Sequence, residues 1–116
     1  MPASLYNIED MEQGSTFRWD ITVYNTDGET PLDLTGYSVA AQMRKNYSDA
    51  VASESFTVTY PDAINGVFRL TLSATETAAL VKGRYWYDIE LTDGVGVVVK
   101  LFKGYIIVTP EATKAT

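Results

Sequence analysis

The sequence predicts an all-β fold, an antiparallel sandwich of about seven strands with one short helix. Three observations predict it. Apolar and polar residues alternate in short segments along the whole chain, as in Phe17, Trp19, Ile21 and Val23 against Arg18, Asp20 and Thr22. Side chains on a strand point to opposite faces, so a period of two marks a half-buried strand. Turn signals built on Gly, Asn, Asp and Pro separate the segments, and only one stretch carries a helix-capping pattern. Many short strands with turn signals between them define a sandwich.

In chain order, residues 1–13 form an N-terminal arm with apolar Leu5, Ile8 and Met11 and acidic Glu9, Asp10 and Glu12. This arm is expected as an extended or edge segment. The first regular strand spans about 15–24. Asn25-Thr26-Asp27-Gly28 is a turn, because Asn, Asp and Gly accept positive φ. Pro31 removes a ladder donor, and Asp33-Leu34-Thr35-Gly36 turns the chain again. Tyr37, Val39, Ala41 and Met43 line one face of a strand over 37–44. A polar loop covers 45–53. Phe56, Val58 and Tyr60 mark a strand closed by Pro61-Asp62. Asn65-Gly66 is a hairpin signal feeding a strand over 67–72.

Ser73-Ala74-Thr75-Glu76 fits a capping box, with Ser73 as N-cap and Glu76 reaching back. Gly83 is expected to stop this helix in a left-handed conformation. Tyr85, Tyr87, Ile89 and Leu91 then alternate over 84–92, and Asp93-Gly94 reads as a hairpin turn. The last strand runs over about 96–108. Its phase breaks, since Val97, Val99 and Leu101 share one face and Ile106 and Val108 the other. A bulge near Gly104 would reconcile them. Residues 110–116 are polar and read as a flexible C-terminal tail.

Length and composition bound the function. A chain of 116 residues is one domain on ordinary priors and can bury a core without staples. It contains no Cys and no His. Disulfides, thiolate nucleophiles, thiolate or imidazole metal sites and histidine general bases are therefore excluded. The net charge of −6 repels nucleic acid and anionic membrane surfaces. The apolar run Val95–Val99 is far too short to span a bilayer. Met1-Pro2-Ala3-Ser4-Leu5 lacks the basic start and apolar stretch of a signal peptide, which points to synthesis in the cytoplasm.

No reaction chemistry is expected. Asp88 and Glu90 share an outer strand face, with Asp20 expected nearby, and a carboxylate pair is what glycoside hydrolysis needs. The same residues serve equally as the solvated face of a sheet, which is the preferred reading. Asp27, Glu29 and Asp33 offer oxygen ligands for Ca²⁺, but their spacing fits no defined calcium loop. No Ser lies in a nucleophile elbow. Asn46-Tyr47-Ser48 is a glycosylation sequon, relevant only on export. The expected lists of catalytic, cofactor and metal residues are empty.

Surface contact remains. Leu80-Val81-Lys82-Gly83-Arg84-Tyr85 resembles the corner before strand F of immunoglobulin-like sandwiches, where a Tyr hydroxyl bonds back to the corner's backbone. With Tyr85 and Tyr87 inward, Trp86 points outward, and the last strand is expected to add Val98 and Phe102 to that face. Clustered exposed apolar residues mark an interface, and Trp is enriched at binding hot spots. Cover by the arm or an edge loop is the competing reading for Trp86. Trp19 lies on the core-facing phase. The interface candidates are Trp86, Val98 and Phe102, with Tyr24 and, on the arm, Leu5 and Ile8.

The order of signals also carries a resemblance. Gln13-Gly14-Ser15-Thr16-Phe17 leads into a strand, followed by Asp27-Gly28 and Pro31-Leu32-Asp33-Leu34-Thr35-Gly36-Tyr37. A strand ending in Arg44-Lys45 comes next, then Gly66-Val67-Phe68 and Leu72-Ser73 with Glu76. Gly83-Arg84-Tyr85 and Tyr87-Asp88-Ile89-Glu90-Leu91 complete the set. Over about 13–108 this resembles the small immunoglobulin-like domains of tailed-phage particles, in particular the N-terminal domain of phage baseplate upper proteins. The resemblance implies an immunoglobulin-like sandwich over 14–109, with the short helix between the strands at the E and F positions. It implies a non-enzymatic structural subunit of a virion, made in the host cytoplasm. Such a subunit would act as an adaptor in the tail, baseplate or neck, and its partners would be other virion proteins and copies of itself. In that family the domain continues into a long C-terminal portion, so a sequence ending at Thr116 points to a stand-alone adaptor. The family supplies no catalytic residues. A capsid decoration protein is the alternative within this class, and a carbohydrate-binding module is the alternative outside it.

Overall fold

A computed structural model describes residues 4–25, 27–46, 48–49 and 52–111. Thr26, part of the 45–53 loop, the middle of the 46–48 sequon, the start of the arm and most of the 110–116 tail lie outside the described residues. The chain forms two sheets. In chain order the strands are β1 (Ser4–Leu5), β2 (Ile8–Glu12), β3 (Phe17–Thr22), β4 (Ser38–Arg44), β5 (Glu54–Ser55), β6 (Thr57–Asp62), β7 (Val67–Leu72), β8 (Gly83–Thr92) and β9 (Val98–Thr109). One short helix, α1 (Ala74–Ala78), lies between β7 and β8. The larger sheet runs β1-β9-β8-β4-β5, with β2 also on β9, and the smaller runs β3-β7-β6.

Alternation decides which side chains fill the space between the sheets. Phe68, Leu70 and Leu72 from β7 are fully buried, as are Met43 from β4 and Ile89 from β8. Tyr85, Tyr87 and Leu91 complete the inner face of β8. Each lies two residues from the next, so one pleated face meets the core and the other meets water. β5 and β6 form one continuous run that changes sheet at Phe56, which is itself buried. Strands that switch sheets close the corner of a sandwich. At that edge the Tyr60 hydroxyl accepts the Val39 N–H at 3.0 Å, satisfying a donor that β5 is too short to reach.

The local signals mostly act where the sequence places them. Ser73 and Glu76 form the reciprocal capping box, with Glu76 N–H to Ser73 Oγ at 3.1 Å and Ser73 N–H to Glu76 Oε1 at 2.8 Å. The helix is shorter than Gly83 implies. It ends at Ala79, because Leu80 N–H closes on Thr77 C=O at 3.2 Å and carries Leu80 into the core. Gly83 instead opens β8 with φ +132°. The Tyr85 hydroxyl donates to Val81 C=O at 2.8 Å, which is the corner expected before this strand.

The β8–β9 connection is longer than a two-residue hairpin. Gly96, not Gly94, takes positive φ, and Asp93 Oδ1 accepts the N–H groups of Val95 and Val97 at 2.9 Å each. An aspartate carboxylate holding two N–H groups stabilises the wider loop. The bulge in β9 also falls elsewhere. Ile89 pairs with Phe102 and Glu90 with Lys100, so Leu101 is the extra residue, three positions before Gly104. This places Phe102, Ile106 and Val108 on the core side and leaves Lys100 and Lys103 in water.

Gly104 has a different task. The arm runs parallel to β9, with Ser4 opposite Phe102 and Ile8 opposite Ile106. A Cβ on Gly104 would collide with Tyr6 C=O and lie 2.7 Å from Asn7 Oδ1. The gap lets Tyr6 C=O accept the buried Tyr87 hydroxyl at 2.6 Å and lets Asn7 Oδ1 accept Tyr105 N–H at 3.1 Å. The Tyr6 ring stacks on Trp19 at 4.9 Å, and Met11 is buried at 2% exposure. Residues 4–12 are thus two strands of the larger sheet. The chain then turns at Gly14, φ +78°, where fully buried Thr77 accepts Gly14 N–H at 3.1 Å and donates to Ser15 C=O at 2.8 Å.

Gly104→Ala is expected to cost about 1–3 kcal/mol through overpacking. Amide exchange of residues 5–12 should speed up with it. Gly94→Ala, whose added methyl meets only Gly36 O at 3.8 Å, is the control expected to change little. Hydrogen bonds hold three carboxylates below the usual range: Asp20 through Arg69, Asp27 through Thr30 and Glu29 N–H, and Asp33 through Thr35. A lowered folded value stabilises above the ordinary aspartate value of about 3.9 and is lost as pH falls through the lowered one. Urea midpoints should therefore drop below pH 4 and drop less in Asp33→Asn.

Candidate interaction surface

The outer face of the larger sheet is built in cross-strand rows. One row is Arg44, Trp86 and Tyr105, set by the pairings of Arg44 with Trp86 and of Trp86 with Tyr105. Trp86 is outward because Tyr85 and Tyr87 are inward, and it is half-buried. The two rings meet edge to face at 6.2 Å and 87°. The Arg84 guanidinium lies 4.4 Å from the Tyr105 ring centre and 6.0 Å from that of Trp86. A cation over an aromatic face is attracted by the ring quadrupole. The Tyr105 hydroxyl donates to Glu9 Oε1 at 2.8 Å, which ties this face to β2. Arg44 Nε donates to Asp49 C=O at 3.0 Å, and Lys45 Nζ lies 4.7 Å from the centre of the Tyr85 ring. The result is an amphipathic patch of two outward rings packed against the Arg84 guanidinium, with Arg44 beside them, at one end of the sheet.

The remaining interface candidates lie elsewhere. Val98 is paired with Thr92 and Tyr105 with Trp86, seven residues apart on β9. At about 3.3 Å per residue that separation is roughly 20 Å, so Val98 does not extend the Trp86 patch. Phe102 does not reach the outer face either. The bulge at Leu101 turns it inward, where it lies 5.7 Å from the Trp19 ring centre. Ile8 is half-buried against the core. Tyr24 and Leu5 are exposed at 52% and 71%.

A second, apolar region forms at the opposite end. Tyr24, Ile21, Val99 and Phe102 line a groove of about 230 Å³ between the ends of β3 and β9, with Ser4 at its wall. Exposed Leu5, Val97 and Val98 adjoin these lining residues in sequence. Val95 and Val97 were missed as surface residues. The signal is the apolar run 95–99, of which the β8–β9 turn displays Val95 and Val97 while Val98 and Val99 open β9.

The carboxylates do not converge. Asp88 and Glu90 both bond Lys100 Nζ, at 3.1 and 3.0 Å, on the larger sheet. Asp20 bonds Arg69 in a two-armed pair at 2.7 and 3.1 Å on the smaller sheet, so the core separates it from the other two. Asp27 and Asp33 spend their oxygens on their own turns. Among the described residues no group of three or more metal-binding side chains gathers.

The class that the sheet order and the tyrosine corner define is an immunoglobulin-like β-sandwich. No family model matches the chain, and no curated protein matches it. Similar solved structures are distant. CopC from Methylosinus trichosporium is 18% identical with a TM-score of 0.41, over 69% of this chain and 72% of that one. An internalin-like protein of Listeria monocytogenes is 14% identical with a TM-score of 0.45, over 89% of this chain and 28% of that one. The four N-terminal immunoglobulin domains of Dscam1 match at 12% identity and TM-score 0.41, over 97% of this chain and 27% of theirs. The chain thus spans about a quarter of the last two.

The Tyr105 hydroxyl is held above the usual phenol range, first by its bond to Glu9 and then by desolvation. A raised phenol value means that the contact is complete below the ordinary value of about 10 and is lost as pH rises through the raised one. Glu9→Gln should move one tyrosine in an ultraviolet pH titration back toward the ordinary value. An unchanged titration would mean that this bond does not form in solution.

Proposed function

We propose that this chain is a non-enzymatic structural subunit of a tailed-phage virion, an adaptor that joins other virion proteins in the tail, baseplate or neck. The observation that carries the reading is the Trp86–Tyr105 pair, flanked by Arg84 and Arg44, on the outer face of a sheet. Aromatic and Arg side chains are the residues in which binding energy concentrates. A rigid strand pair presents them with little ordering cost. The virion context comes from the resemblance of the ordered motifs over about 13–108 to phage immunoglobulin-like domains. In this role the protein works by burying surface. The rings give apolar contact, the cations read an acidic or polar rim on a neighbouring virion protein, and the sandwich fixes their spacing.

Trp86→Ala tests the proposal in assembled particles, with the folded state checked by circular dichroism. Loss of a hot-spot Trp is expected to weaken incorporation by about 2 kcal/mol or more, roughly thirty-fold. Normal incorporation of a folded Trp86→Ala chain removes this face from the assembly. Saturable shifts of Trp or Tyr signals on titration with soluble glycans would favour a carbohydrate-binding module instead.

A further inference from the structure

We infer that the open edge of β3 pairs with the same edge of a second copy of this chain, across a twofold axis at Trp19 and in a single register. This surface is separate from the Trp86 face, and the inference stands whether or not the chain is a virion subunit.

β3 is the terminal strand of the smaller sheet and has β7 on one side only. The direction of its unused groups follows from one bond. Val23 N–H donates to Gly66 C=O at 2.8 Å, next to the Thr22–Val67 pair. In an antiparallel ladder bonded pairs alternate, so the odd residues of β3 exchange bonds with β7. The N–H and C=O groups of Arg18, Asp20 and Thr22 therefore point away from it. No hydrogen bond from the described residues meets them. Such an edge is a template for another strand.

Charge then selects the partner and the register. A second β3, laid antiparallel across a twofold axis, must oppose even residues to even residues for the ladder to form. Three central registers satisfy this. In one, Arg18 faces the partner's Arg18. In another, Asp20 faces the partner's Asp20. Like charges directly opposite destabilise a strand pair. In the third, Arg18 faces the partner's Asp20 and Asp20 faces the partner's Arg18, while Thr22 faces the partner's Thr16. Both charged residues are exposed, and Arg18 has no ion pair among the described residues. Asp20 holds Arg69 through both oxygens, yet a carboxylate accepts about four hydrogen bonds and can take Arg18 of a partner as well. The contact is isologous and closes on itself as a dimer. The two smaller sheets become one continuous sheet of six strands.

Sedimentation of the full chain from about 1 to 500 μM should show a concentration-dependent dimer. Arg18→Glu and Asp20→Lys should each weaken self-association at least about tenfold, because each sets like charges face to face. A mixture of the two variants should restore a 1:1 dimer, since both opposed pairs are then of opposite sign. Hydrogen exchange on the unmodified protein gives a second reading: the amides of Arg18, Asp20 and Thr22 should gain protection as concentration rises. A monomer throughout the range overturns the inference. So does a dimer that folded Arg18→Glu leaves intact, a folded variant mixture that stays monomeric, or a dimer in which these three amides exchange freely. Protection of the same amides by a foreign extended peptide, with the chain itself monomeric, overturns the choice of a second copy.

Discussion

The N-terminal arm can complete the edge of only one of the two sheets, and here both of its strands join the larger. The bare backbone of Gly104 makes this possible, because Tyr6 passes where a side chain would stand. The buried Tyr87 hydroxyl then donates to Tyr6 C=O, and the Tyr6 ring covers Trp19 at the seam between the sheets. Met11 enters the core five residues later. Removing the arm would strand a buried hydroxyl and open an aromatic cluster to water, both costly. The same choice leaves β3 with β7 on one side only, so the closure of one sheet creates the opening of the other.

The outer surfaces follow from the inner ones. Once Tyr85 and Tyr87 are committed to the core, Trp86 must face out, and the register with β4 and β9 brings Arg44 and Tyr105 beside it. Below that row, Lys100 Nζ bridges Asp88 and Glu90, so the middle of the face is a charge network bonded within the chain. What is left for a partner is the aromatic end, where rings and guanidinium groups are held ready. The proposed role rests on this division between a face satisfied within the chain and a face offering contact.

Much of the architecture was legible in short windows. The strand 67–72, the capping box at Ser73 and Glu76, the inward run of β8 and the Tyr85 corner depend on neighbours a few residues away, where period and capping chemistry operate. The candidate site was legible only in part. Trp86, with Arg84 two positions before it, is set outward by the alternation of its own strand, but Tyr105 and Glu9 are not. Tyr105 arrives through the pairing of β8 with β9, and Glu9 through its bond to the Tyr105 hydroxyl. A bulge at Gly104 sets Phe102 outward, whereas the bulge at Leu101 sets it inward, because shifting a bulge past a residue reverses the face that residue occupies.

The sequence alone determined a β-rich chain without thiol or imidazole chemistry, since composition and period are properties that no folding step can change. Only the tertiary structure decided that the arm lies parallel to β9, that Asp20 is held apart from Asp88 and Glu90 by the core, and that β3 keeps an open edge. Strand partnership joins residues as much as 98 positions apart, as between Ile8 and Ile106. Such a pairing is set by competition among every edge in the molecule, and no local window contains that competition.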